Sequence, residues 1–130
     1  YYSYHMKKLF IISLFFGCVI NATAGPGSFL TRWSTTTGTI TLLVNHSGPG
    51  YDYNVTWTNL TSAGVGDGSI SGQNGNYTIT GLTNGNIYQI DITGNFPGFI
   101  FNNNATEKGK IRSIERWGNI VWYSMVYAFY

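Results

Sequence analysis

The sequence is poor in cysteine, charge and long apolar runs. Its 130 residues include one cysteine, and 9% of them are charged. A lone cysteine closes no disulfide within the chain, so packing must hold the fold together. Scarce charge beside 43% hydrophobic and 17% aromatic residues excludes a disordered chain and suits one packed domain. From Gly25 onward Arg32, Lys108, Lys110, Arg112 and Arg116 face Asp52, Asp67, Asp91, Glu107 and Glu115, a net charge near zero. That balance argues against nucleic acid and against electrostatic membrane binding. The main apolar run, Leu9 to Ile20, is too short to span a bilayer comfortably.

That run has the order of a signal peptide. Met6-Lys7-Lys8 is a short basic start, the apolar run follows, and Ala22-Thr23-Ala24 is a small-x-small cleavage pattern. Residues 6–24 are therefore expected to be removed, and residues 1–5 are set aside as lying upstream. A buried N-terminal strand is the alternative. Cys18, in "LFFGC", raises lipid attachment as a second possibility; Gly17 fits a lipoprotein signal, while bulky Phe15 and Phe16 do not.

Residues 25–103 are rich in Thr, Tyr, Val and Ile, with Gly and Asn between short runs, the composition of strands and turns. Strands are expected over 29–35, 39–45, 51–58, 68–71, 76–81, 87–93 and 98–102. Alternation puts Tyr53, Val55 and Trp57 on one face, Tyr77 and Ile79 together, and Tyr88, Ile90 and Ile92 opposite Gln89 and Asp91. Asn84-Gly85 reads as a tight turn joining two strands. Seven short strands with frequent turns predict an all-β, two-sheet sandwich.

The pattern changes near residue 103. Residues 104–110 read as a polar linker. Ile111, Ile114 and Trp117 then recur every three residues. Beyond Gly118-Asn119, Trp122, Met125, Val126 and Phe129 stand at i, i+3, i+4 and i+7, which predicts a short amphipathic helix. A strand, a turn and a short helix make about one unit of a repeat solenoid. One unit cannot bury its own face without a neighbour.

Two resemblances follow. "YTITGLTNGNIYQIDITG" (77–94) resembles the late strands of fibronectin type III and related immunoglobulin-like domains. By that likeness Leu82 and Tyr88 form a corner where the tyrosine hydroxyl bonds back to nearby backbone. "FLTRW", "ITLLVN…YDYNVTW", "ITGNFPGFIFNN" and "IRSIERWGNIVWYSMVYAFY" resemble the BspA-like surface proteins of bacteria, over nearly all of residues 25–130. In that family an immunoglobulin- or PKD-like sandwich precedes a leucine-rich repeat array. Ser113, Ile114, Trp117, Gly118, Trp122, Ser124, Met125, Ala128 and Phe129 match the run that opens the array. The sequence departs from the family after Trp57, where "TNLTSAGVGDG" replaces a tight Trp-Gly-Asp-Gly turn.

The resemblance implies a sandwich over 25–103 and, over 104–130, a linker with the first, truncated repeat. Ile111, Ile114, Trp117, Trp122, Met125 and Phe129 would form the interface with following repeats. It implies an exported, non-catalytic module that mounts and caps an array used for adhesion or protein binding, with a host or surface protein or a glycan as ligand. No cofactor is implied. A carbohydrate-binding module of a secreted polysaccharide-degrading system is the alternative, because exposed Trp and Tyr stack on sugars. Trp33 and Trp57 are assigned to the core.

Chemistry is thin. From Gly25 onward there is one histidine, His46, in a Gly/Pro turn, and there is no Gly-x-Ser-x-Gly elbow. Gly66-Asp67-Gly68 resembles a fragment of a calcium loop, yet a single charged ligand favours a type I′ turn. Asn-x-Ser/Thr triplets begin at Asn45, Asn54, Asn59, Asn76 and Asn104, as chance allows in a chain this rich in Asn and Thr.

Overall fold

The computed structural model describes residues 27–44 and 50–130. The expected signal peptide, Cys18 and the turn holding His46 lie outside the described residues. Among the described residues seven strands form: β1 (Phe29–Ser34), β2 (Ile40–Leu42), β3 (Asp52–Asn59), β4 (Gly68–Gln73), β5 (Tyr77–Ile79), β6 (Ile87–Asn95) and β7 (Ile111–Arg116). One short helix, α1 (Ala105–Lys108), precedes β7. β4-β3-β6-β1-β7 make one sheet, β2-β5 a second, and all these pairings are antiparallel. The chain is mostly β and sandwich-like.

Alternation explains the inner face. Phe29, Thr31 and Trp33 of β1 stand opposite Ile92, Ile90 and Tyr88 of β6, and Val55 of β3 stands opposite Ile92. All of these are buried. Each large apolar side chain so buried contributes about 1.5–3 kcal/mol. Buried Thr31 is satisfied: its hydroxyl donates to the Ile90 carbonyl (3.3 Å) and accepts from Trp33 Nε1 (2.7 Å). Ile40 and Leu42 of β2 and Ile79 of β5 close the core from the other side.

β2 is only three residues long, and a two-stranded ribbon is marginal alone. Its second edge is held by α1. The Glu107 carboxylate accepts from the Thr41 N–H through Oε2 (2.8 Å) and from Lys110 Nζ through Oε1 (2.6 Å). Both charged side chains are buried. Asn104 caps α1 by accepting from the Glu107 N–H (3.0 Å). Lys110 in turn offers its carbonyl to the Ser34 N–H at the end of β1 (2.8 Å).

Four expectations are corrected. Residues 98–102 are not a named strand; they make isolated bridges, Val44 to Phe99 and Gly98 to Ser124, while Phe99 and Phe101 sink fully into the core. The helix expected from Trp122 to Phe129 does not form: the segment is a series of turns, and Tyr127 has φ 59°. A left-handed residue of that kind interrupts any α-helix. Residues 104–110 hold a capped helix rather than a bare linker. β7, expected to open a separate repeat, pairs with β1 at the edge of the main sheet.

The Asn84-Gly85 turn does form, with Gly85 at φ +81° and the Asn86 N–H donating to the Thr83 carbonyl (3.3 Å). It carries the chain from β5 in one sheet to β6 in the other, so it is a crossing between layers, not a hairpin.

Removing one member of a buried ion pair strands the other. Lys110→Met is expected to lower stability by about 3–5 kcal/mol. The double variant Glu107→Gln/Lys110→Met keeps an acceptor for the Thr41 N–H and removes both charges, so it should recover most of that loss. Urea unfolding of the three proteins checks this, and equal loss in the single and double variants would contradict it.

Candidate functional site

An aromatic network runs from the core to the surface. Phe96 packs edge-on against Tyr53 (4.9 Å between centroids) and Tyr51 (5.9 Å). Phe99 meets Phe101 (4.8 Å) and Trp33 (6.0 Å). Phe29 then meets Trp122 edge-on (5.0 Å) and stacks on Trp117 (5.6 Å). Phe96, Phe99, Phe101 and Phe29 are fully buried, and the network emerges at Trp117, which is 46% exposed. Such pairs add about 0.5–1.5 kcal/mol each beyond area burial.

The network seats the C-terminal segment. Tyr123 N–H donates to the Pro97 carbonyl (2.7 Å), Asn102 N–H to the Tyr127 carbonyl (3.2 Å) and Asn103 N–H to the Tyr130 carbonyl (3.1 Å). Asn119 N–H donates to the Gly27 carbonyl (2.9 Å). Ala128 is buried, and Phe129 leans on Phe99 and Phe101. Gly118, at φ +70°, lies so close to Ser28 that an added Cβ would stand 2.4 Å from its backbone. No other residue fits there without moving the chain.

The outward side of this segment is apolar and uncovered. Trp117, Val121, Tyr123, Val126, Tyr127, Phe129 and Tyr130 are exposed. No charged residue occurs from Trp117 to Tyr130. Exposed apolar side chains gathered in one segment make this the candidate site. The sequence-derived interface residues divide within it. Ile111, Ile114 and Trp122 pack against the core, Met125 is half-buried, and Trp117 and Phe129 reach the surface. They do not share one helical face.

Elsewhere polar residues serve the fold. Tyr88 hydroxyl accepts from the Thr83 N–H (3.0 Å) and from Asn59 Nδ2 (3.0 Å) and donates to the Val65 carbonyl (3.1 Å). Leu82 is buried beside that corner. The Gly66–Gly68 stretch is not a type I′ turn: Gly64 and Gly66 have positive φ, and Asp67 does not. Asp67 Oδ1 accepts from the Asn59 N–H (2.6 Å), and the Gly66 carbonyl accepts from Trp57 Nε1 (2.8 Å). Trp57 is half-buried and lies against Gly68, where a Cβ would meet its ring at 2.4 Å. Glu115 pairs with Arg32 across the surface (3.4 Å). Among the described residues no three of His, Cys, Asp and Glu gather.

Sequence reasoning missed the Glu107–Lys110 pair and the depth of Phe96, Phe99 and Phe101. The spacing Asn104-x-x-Glu107 was a legible signal for a capped helix start. Nothing local reveals that Glu107 reaches β2.

Tyr53 supplies a titration handle on the inner end of the network. Burial pushes its hydroxyl up to about 12 from 10.0, with neighbouring Tyr51 and Tyr77 adding to the rise. The hydroxyl also donates to the Gly75 carbonyl (2.6 Å). Because the folded value is the higher one, this stabilisation is complete below pH 10 and is lost as pH rises towards 12. The expected loss is about 3 kcal/mol. Unfolding measured against pH for the wild type and Tyr53→Phe checks it: the steep alkaline decline should be shallower in the variant. Comparison with known protein families, curated proteins and solved structures finds no significant match to this chain.

Proposed function

We propose that this chain is a non-catalytic, exported bacterial surface module with an immunoglobulin-like sandwich. On this reading it mounts and caps a leucine-rich repeat array of the BspA-like kind, used for adhesion or protein binding. The observation that carries the reading is the uncharged, aromatic face of Trp117 to Tyr130. It is seated on the core from one side and bare on the other. A stacked apolar repeat needs such a face, because each repeat buries its own apolar side only against a neighbour. The buried hydroxyl of Tyr88, tied to the backbone at Thr83 and Val65, supports the immunoglobulin-like assignment.

The role is interfacial. The five-stranded sheet serves as a stiff mount, and the aromatic network transmits load from the terminal segment into it. A glycan-binding role has weaker support in the tryptophans: Trp33 is fully buried, and Trp57 and Trp122 are half-buried against the core.

Left bare, the face should bind a second copy or an apolar dye. The near-neutral charge offers no repulsion to prevent it. The chain alone is therefore expected to dimerise or aggregate in light scattering. Appending repeats of the BspA-like type after Tyr130 should suppress self-association and dye binding and merge the unfolding into one transition. A clean monomer at high concentration, or appended repeats that melt independently with the face still reactive, would overturn the reading.

A further inference from the structure

A groove of about 370 Å³ opens between the end of β2 and the segment that follows β6. Its apolar lining is Leu43, Val44, Ile100 and Phe101; its polar lining is three amides, Asn76, Asn102 and Asn104. Among the described residues, none that lines it is charged. The volume lies at the small end of the range for ligand sites.

The amides are set in place. Asn76 Oδ1 accepts from the Val44 N–H (2.9 Å), and Asn104 Oδ1 accepts from the Glu107 N–H (3.0 Å). A backbone N–H can only donate, so in each case the oxygen faces the protein. Each Nδ2 group is left with both hydrogens for a ligand, since neither makes a protein hydrogen bond among the described residues. Asn102 and its neighbour Asn103 both hold left-handed backbone, at φ 45° and 61°. Two such residues in succession are uncommon and set the direction of the Asn102 Cα–Cβ bond.

We propose that this groove is a binding site for an uncharged, polyhydroxylated ligand, a neutral saccharide. Amide donors match hydroxyl oxygens, and the apolar lining matches the C–H faces of a sugar ring. The absence of Lys and Arg from the lining disfavours phosphate, sulfate and carboxylate ligands. An extended peptide is disfavoured too, because the walls already bond to each other: the Ile100 N–H donates to the Leu43 carbonyl (3.2 Å). The site adjoins the aromatic segment through Phe101 and Asn102 and does not depend on the mounting role.

Asn→Asp exchange tests the amides with little disturbance. Asn76→Asp and Asn104→Asp keep the oxygen that each backbone N–H needs and delete the Nδ2 donor. Asn102→Gly removes the third amide and suits the left-handed backbone. The chain, labelled with nitrogen-15, is titrated with glucose, galactose, N-acetylglucosamine, cellobiose and maltose. The expected result is saturable movement of the Asn76, Asn102 and Asn104 side-chain amide signals with at least one sugar. Each variant should weaken binding about tenfold, the worth of one good hydrogen bond. No saturable shift with any of these sugars at tens of millimolar would overturn the proposal. So would shifts confined to Trp117 and its neighbours, or wild-type affinity in all three variants.

Discussion

The two layers are pinned at one carboxylate. Glu107 gives one oxygen to the Thr41 N–H of β2 and the other to the Lys110 ammonium. Lys110 passes its carbonyl to Ser34 at the end of β1. Within four residues the chain thus joins the small sheet, the helix and β1 of the large sheet. A neutral amide could serve Thr41 alone. The ion pair does more, because a buried carboxylate without its ammonium is costly, so the Glu107–Lys110 turn and its docking on β2 support each other. The small sheet inherits that cooperativity. Its three-residue strands could not hold a register unaided.

Strands were legible where one face is buried and the other wet. Tyr53-x-Val55, Tyr88-x-Ile90-x-Ile92 and Phe29-x-Thr31-x-Trp33 all point inward as alternation requires. Legibility failed where apolar residues are continuous. In "NFPGFIF" the aromatics are drawn into the core by tertiary packing, and the backbone stays irregular. In "WYSMVYAFY" nearly every position is apolar, so helical spacing arises by default and carries little information. The backbone settles the matter through carbonyls lent to Phe101, Asn102 and Asn103 and through left-handed Tyr127. Of the candidate face, the aromatic content was legible and the conformation was not. The groove was invisible in sequence, because Asn76 comes from the β4–β5 connection and Asn102 and Asn104 from the segment after β6.

The edges of the large sheet bear on the proposal that the aromatic face takes a partner. β7 skips Glu115 between its pairings at Leu30 and Thr31, and skips Arg112 between those at Arg32 and Trp33. Each skip is a bulge, and each places a charged residue at it. On the opposite edge the β3–β4 register slips beside Gly72, whose φ is +66° and whose N–H is taken by Asn54 Oδ1. Bulges and charge are how sheets prevent strand addition. Both edges are therefore poor templates for another strand.

What remains open is a surface of side chains. The segment from Trp117 to Tyr130 spends many of its backbone groups on Gly27, Pro97 and the Phe101–Asn103 stretch, so a partner meets rings more than peptide groups. Rings buried on one side and bare on the other favour packing over hydrogen-bonded register. Affinity for such a face grows with the apolar area covered. Orientation must come from shape, and here from Gly118, whose contact with Ser28 fixes where the face begins. A larger residue at that position would push the aromatic segment off the core, disconnecting the surface from the layers that Glu107 and Lys110 hold together.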